Sequence, residues 1–139
     1  MLQKEPQILF NEYIELYEAL FPLLIKELDT VEDEKIILEG SILLPKFIEK
    51  LKEKHDVEIC YMITDDNFVN KKYIKRDYVQ EMLTKLNGEI ALKNLLARDQ
   101  IFAKYILDEL EKHPFIKIHM EADNGFEGYF IKLQKVLKL

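Results

Sequence analysis

No glycine precedes Gly40, and only four glycines occur in 139 residues. A loop that wraps phosphate with backbone N–H groups needs several glycines after a strand, then Lys and Ser or Thr at a helix start. Nothing in the chain meets that pattern: Gly125-Phe126-Glu127-Gly128 lacks the lysine and hydroxyl and reads as a turn before a last helix. Cysteine is rarer still. Cys60 stands alone in an apolar run, so no disulfide framework exists and a small core residue is its simplest role. The three histidines have no metal-ligand spacing, and His113 beside Pro114 suits a helix end.

Positive charge is not in excess either. Twenty Lys and Arg are interspersed with twenty-six Asp and Glu, for a net charge of −6, which argues against an extended nucleic-acid surface while leaving room for a local anion site. No apolar stretch approaches the roughly 20 residues of a membrane span, and Met1 to Pro6 has no signal-peptide character. The expectation is a cytoplasmic protein without a membrane partner. With 48% apolar residues, the length suits a single domain over 1–139.

What is present is an alternation of helical and strand-like segments. Residues 7–29 have helical apolar spacing, with Pro22 predicting a kink or two helices meeting near Phe21. Ile36-Ile37-Leu38 reads as a short strand buried on both faces and ending at Glu39-Gly40, where a ligand crevice of a parallel sheet would lie. Residues 45–54 predict a helix and 57–63 a second strand ending at Thr64-Asp65-Asp66-Asn67. Helical patterns follow between Asp66 and Asn87, closed by Gly88, then at 90–97, then from a capping Asp99 to Lys112. A third strand at 115–120 and a helix at 126–139 complete the chain. This order predicts an α/β class with a three-layer parallel sheet and crossover helices, incomplete because only three strands are visible. Such a sheet should either self-associate through an edge or pair 36–39 directly with 57–63.

Only two of the twenty basic residues are arginines, Arg76 and Arg98. In a chain that otherwise uses lysine, they are candidates for bidentate pairing with phosphate or carboxylate. Each precedes an aspartate, Asp77 and Asp99, so a local ion pair is the competing explanation. Lys71, Lys72 and Lys75 around Arg76 strengthen the anion reading or form a solvated face.

The strand ending Glu39-Gly40, then Leu43-Leu44-Pro45, then a strand ending Thr64-Asp65 with Phe68, Tyr73 and Arg76, then a helical stretch with Arg98, a strand and a C-terminal helix resembles the C-terminal part of P-loop nucleoside and nucleotide kinases, over about residues 30–139. The resemblance implies a P-loop NTPase-like fold with a lid-like insertion at about 66–98. It implies ATP and Mg²⁺ as cofactors and phosphoryl transfer to a nucleoside-like or other small hydroxyl acceptor. Glu39, Arg76 and Arg98 would be catalytic, and Gly40, Asp65, Lys72 and Tyr73 would bind substrate. The family's first strand, phosphate loop and second strand are missing from these residues, so the chain resembles a fragment or degenerate relative, inactive alone. The alternative is a non-catalytic module that docks on a partner, or on itself, through an exposed sheet edge and the helix at 7–29.

Overall fold

A computed structural model describes residues 4–32, 35–64, 73–120 and 125–138. Among them the element order is α1 (Pro6–Leu28), α2 (Pro45–Lys52), β1 (Cys60–Thr64), α3 (Asp77–Leu83), α4 (Gly88–Leu110), β2 (Ile116–Met120) and α5 (Gly125–Leu137). Helices dominate.

The three-layer parallel sheet is not formed. The described residues contain one two-stranded sheet, in which β1 and β2 run parallel with Cys60 opposite Ile116 and Thr64 opposite Met120. Residues 35–39 have no strand structure, and Ile36, Ile37 and Leu38 are exposed by 44%, 70% and 41%. The apolar run has the composition of a doubly buried strand, but burial on both faces needs neighbouring strands, and the described chain supplies none at that position. The pairing expected between 36–39 and 57–63 is likewise overturned: β1 pairs with β2 instead. A P-loop NTPase-like sheet is therefore not what this chain builds.

The core lies between helices and one face of the small sheet. Tyr17, Phe21 and Leu28 of α1 meet Leu44, Phe47, Ile48 and Leu51 around α2, with Leu110 and Phe115 at the end of α4 and the approach to β2. Leu44 and Ile48 are wholly buried, each side chain contributing about 1.5–3 kcal/mol relative to exposure. Side chains alternate across a strand, so Tyr61 and Ile63 point to this core together, and the Tyr61 ring lies 5.7 Å from that of Phe115. On the other face Met62 and Ile116 remain half exposed while Ile118 is buried.

Several helix boundaries differ from expectation for identifiable reasons. Pro22 lies inside α1, which continues through it as one helix, the packing of Phe21 on Phe47 (rings stacked, 4.3 Å between centroids) holding the turns on either side. Gly88 opens α4 instead of closing the preceding helix. Asn87 before it is left-handed (φ 62°), and a Cβ on Gly88 would stand 2.3 Å from the Met82 carbonyl oxygen, so only glycine lets α3 and α4 approach this closely. Asp99 caps nothing: α4 runs unbroken from Gly88 to Leu110, and the Asp99 carboxylate serves Arg98.

Candidate functional site

The two arginines belong to one cluster. Arg98 lies mid-way along α4, and its Nε and Nη2 both donate to Asp99 Oδ1, at 2.9 and 2.5 Å. Its guanidinium carbon lies 4.7 Å from the centre of the Tyr13 ring of α1, a cation–π contact worth about 0.5–2 kcal/mol. The pair is only partly exposed, 16% for the arginine side chain and 25% for the aspartate. The charge of Asp99 in turn acts on the hydroxyl of Tyr73, a half-buried residue ahead of α3. On the Tyr73 ring sits Arg76, its guanidinium carbon 4.8 Å from the ring centre. Tyr78 closes the group, edge-on to Tyr73 at 6.0 Å and accepting a long 3.5 Å contact from Arg76 Nη1.

Local sequence explains this convergence. Arg76 has extended backbone (ψ 136°) at the N-cap of α3, which turns its side chain away from the helix and back over Tyr73. The close turn at Asn87-Gly88 lays α3 against α4, and α1 packs along α4, so residues from three elements meet around Arg98 and Tyr73. Burial, the Tyr78 hydroxyl and the Asp99 carboxylate all hold the Tyr73 proton well above the ordinary tyrosine range. Tyr73 is therefore a donor to its surroundings. Chemically, the cluster offers one exposed guanidinium, Arg76, with most of its donors uncommitted among the described residues, and one guanidinium with an edge already bound to a carboxylate, Arg98.

The remaining candidates lie elsewhere. Glu39 and Gly40 are exposed in the loop before α2. That loop is fixed from its far side, where the Tyr17 hydroxyl bonds Ser41 and the Tyr61 hydroxyl donates to the Leu43 carbonyl at 3.0 Å. Gly40 adopts φ 157°, and a Cβ there would meet only Ile42 Cγ2 at 3.8 Å, so backbone conformation and not crowding is what favours glycine. Glu39 forms no hydrogen bond or ion pair with the Arg76–Arg98 cluster among the described residues. Asp65 and Lys72 lie outside the described residues. The structure thus brings together Tyr73, Arg76 and Arg98 of the predicted set and leaves Glu39 and Gly40 apart.

Asp99, Tyr13 and Tyr78 are members that the sequence reading did not place in a site. The Arg-Asp dipeptide was the available signal for Asp99, as the local ion pair. Tyr13, at helical spacing along α1, reads as core, and only the packing of α1 on α4 reveals its second role.

Among the described residues no group of three or more His, Cys, Asp or Glu is placed to hold a metal ion, and no helix is long and apolar enough to cross a membrane. Comparison with protein-family models, with curated proteins and with solved structures returns no match.

Proposed function

We propose that this chain carries the phosphoryl-recognising part of a kinase-type phosphotransferase acting on a nucleoside-like or other small hydroxyl acceptor, and that it is catalytically silent until another segment supplies a phosphate cradle. The observation that supports this reading is the convergence of both arginines of the chain on Tyr73 and Asp99. Phosphoryl transfer depends on positioning and charge neutralisation, and a planar guanidinium matches two phosphate oxygens where an ammonium offers a point charge. Arg76 is the group that meets the anion, held in place by stacking on Tyr73. The chain's own residues fit only the anionic end of ATP, since they include no glycine-rich Lys-Ser or Lys-Thr loop. For magnesium the described residues do not fit: among them no group of three or more His, Cys, Asp or Glu is placed to hold a metal ion, and Glu39 is exposed.

The test is a titration with inorganic pyrophosphate. Millimolar binding, about 4 kcal/mol, is expected for the wild type and should weaken several-fold in Arg76→Lys, which keeps the charge and loses the fork. Equal affinity of the two proteins, or no binding at tens of millimolar, would overturn the proposal.

A second reading, a non-catalytic interaction module, is favoured by the exposed Ile36-Ile37-Leu38 run and by a sheet of two strands whose outer edges have no strand partner among the described residues. It predicts concentration-dependent self-association in sedimentation experiments that Ile37→Lys abolishes. A monomer at all concentrations would remove that support.

A further inference from the structure

We propose that Asp99 is a built-in rival of the bound anion: its carboxylate occupies one edge of the Arg98 guanidinium, and an incoming phosphoryl group displaces it, so that Arg98 joins Arg76 only in the liganded state. This inference rests on the phosphoryl-binding reading and adds to it a residue and a change of partner.

The geometry of the pair carries the argument. Adjacent residues of a helix diverge around its axis, and side chains at i and i+1 do not naturally face one another. Arg98 and Asp99 meet despite this, and the meeting is imperfect: Nε and Nη2 both converge on Oδ1, whereas a matched fork sends two parallel N–H bonds to two oxygens. A phosphoryl group supplies two oxygens and more than one negative charge, so it suits the same edge better than the resident carboxylate does.

Three contacts make the exchange feasible. Tyr13 supports the guanidinium from its face, leaving the in-plane edge free to change partners without loss of the ring contact. The Tyr73 hydroxyl lies close enough to Asp99 to feel its charge, so a released carboxylate has a hydroxyl donor to turn to. Tyr73 is also the platform of Arg76, so the side chains of Tyr73 and Asp99 lie between the two arginines. With the carboxylate in place the charge of Arg98 is compensated in the absence of ligand, so Arg98 can be held partly buried at 16% exposure.

The chain is suited to a direct test, because its two arginines produce only two Nε–Hε cross-peaks in a nitrogen-15 spectrum. Arg76→Lys and Arg98→Lys assign them. On addition of inorganic pyrophosphate to the wild-type chain, against sodium chloride at matched ionic strength, both peaks should move along one saturation curve. Movement of the Arg76 peak alone would overturn the displacement of Asp99 and leave the phosphoryl-binding reading standing. If neither moved, both proposals would fall. Asp99→Asn supplies the complementary arm: the amide keeps an oxygen for Arg98 and Tyr73 but loses the charge, and pyrophosphate should bind about fivefold more tightly. Unchanged or weaker binding by a folded Asp99→Asn protein would refute the rivalry, and should that variant not fold, the wild-type Arg98 peak decides alone.

Discussion

Replacing Arg98 by lysine separates two roles that a guanidinium can play. In the unliganded chain Arg98 makes two N–H bonds to a partly buried carboxylate and rests on Tyr13. Lysine retains the charge, can offer Asp99 a single contact at most, and has no plane to lay on the ring. Loss of one charge-assisted hydrogen bond costs about 1 kcal/mol. Weakening the ring contact costs about 0.5–1 kcal/mol more. Together these lower Tm by roughly 5–7 °C for a chain of this length. Scanning calorimetry measures the shift directly, and because the pair is partly buried, raising the salt concentration should change it little. A second substitution, Tyr13→Leu, should be less than additive with Arg98→Lys, since the two side chains share a contact. A fall in Tm below about 2 °C, or strict additivity of the two changes, would show that Arg98 is a loosely held surface arm and that the cluster does not exist as described.

Three further outcomes are expected. Gly88→Ala should destabilise the chain by about 1–3 kcal/mol in denaturant titrations although alanine is the better helix former, because the added carbon would stand 2.3 Å from the Met82 carbonyl and 2.8 Å from Leu83 Cα; a neutral or stabilising result would contradict the close α3–α4 turn. Burial, reinforced by Tyr13 and opposed by the Ser41 hydrogen bond and Arg98, pushes the Tyr17 hydroxyl up to about 12. An unfolded chain releases that proton near 10 and the folded chain does not, so stability should be complete below about pH 10 and decline towards 12. Since the chain has no tryptophan, near-ultraviolet absorbance follows tyrosine ionisation alone, and a denaturation midpoint constant across that window would count against a buried Tyr17. ATP with magnesium should bind no tighter than inorganic pyrophosphate; micromolar affinity, about 8 kcal/mol, would mean a phosphate cradle exists that the glycine-poor sequence does not reveal.

Elements with a long, one-sided apolar pattern were legible in the sequence. The expected helices at 7–29 and 45–54 correspond to α1 and α2, and the strands expected at 57–63 and 115–120 correspond to β1 and β2, each shifted by a few residues. Ile36-Ile37-Leu38 was misread because three aliphatic residues have the composition of a buried strand whether or not a neighbour exists to pair with them, and pairing is a long-range property. Asp99 was misread as a cap because aspartate favours helix starts, while its actual partner, Arg98, and its contact with Tyr73 depend on α3 folding back on α4. The rarity of arginine singled out Arg76 and Arg98. Their joining through Tyr73 was visible only once three elements were in place.

The parallel pairing of β1 with β2 also has a kinetic consequence. Cys60 and Ile116 are neighbours in the sheet, yet the whole of α3, α4 and their connections separates them along the chain. Closing so long a connection carries an entropic cost that local helix formation does not, so α1, α2 and α4 can acquire structure while β1 still waits for a partner. During synthesis at about 5–20 residues per second, β1 leaves the ribosome several seconds before β2 exists. Through that interval the half-exposed Met62 and the row of unpaired amides beside it are open to any other extended chain, and fast docking of α4 on α1 is what brings β2 to the right place to end the exposure.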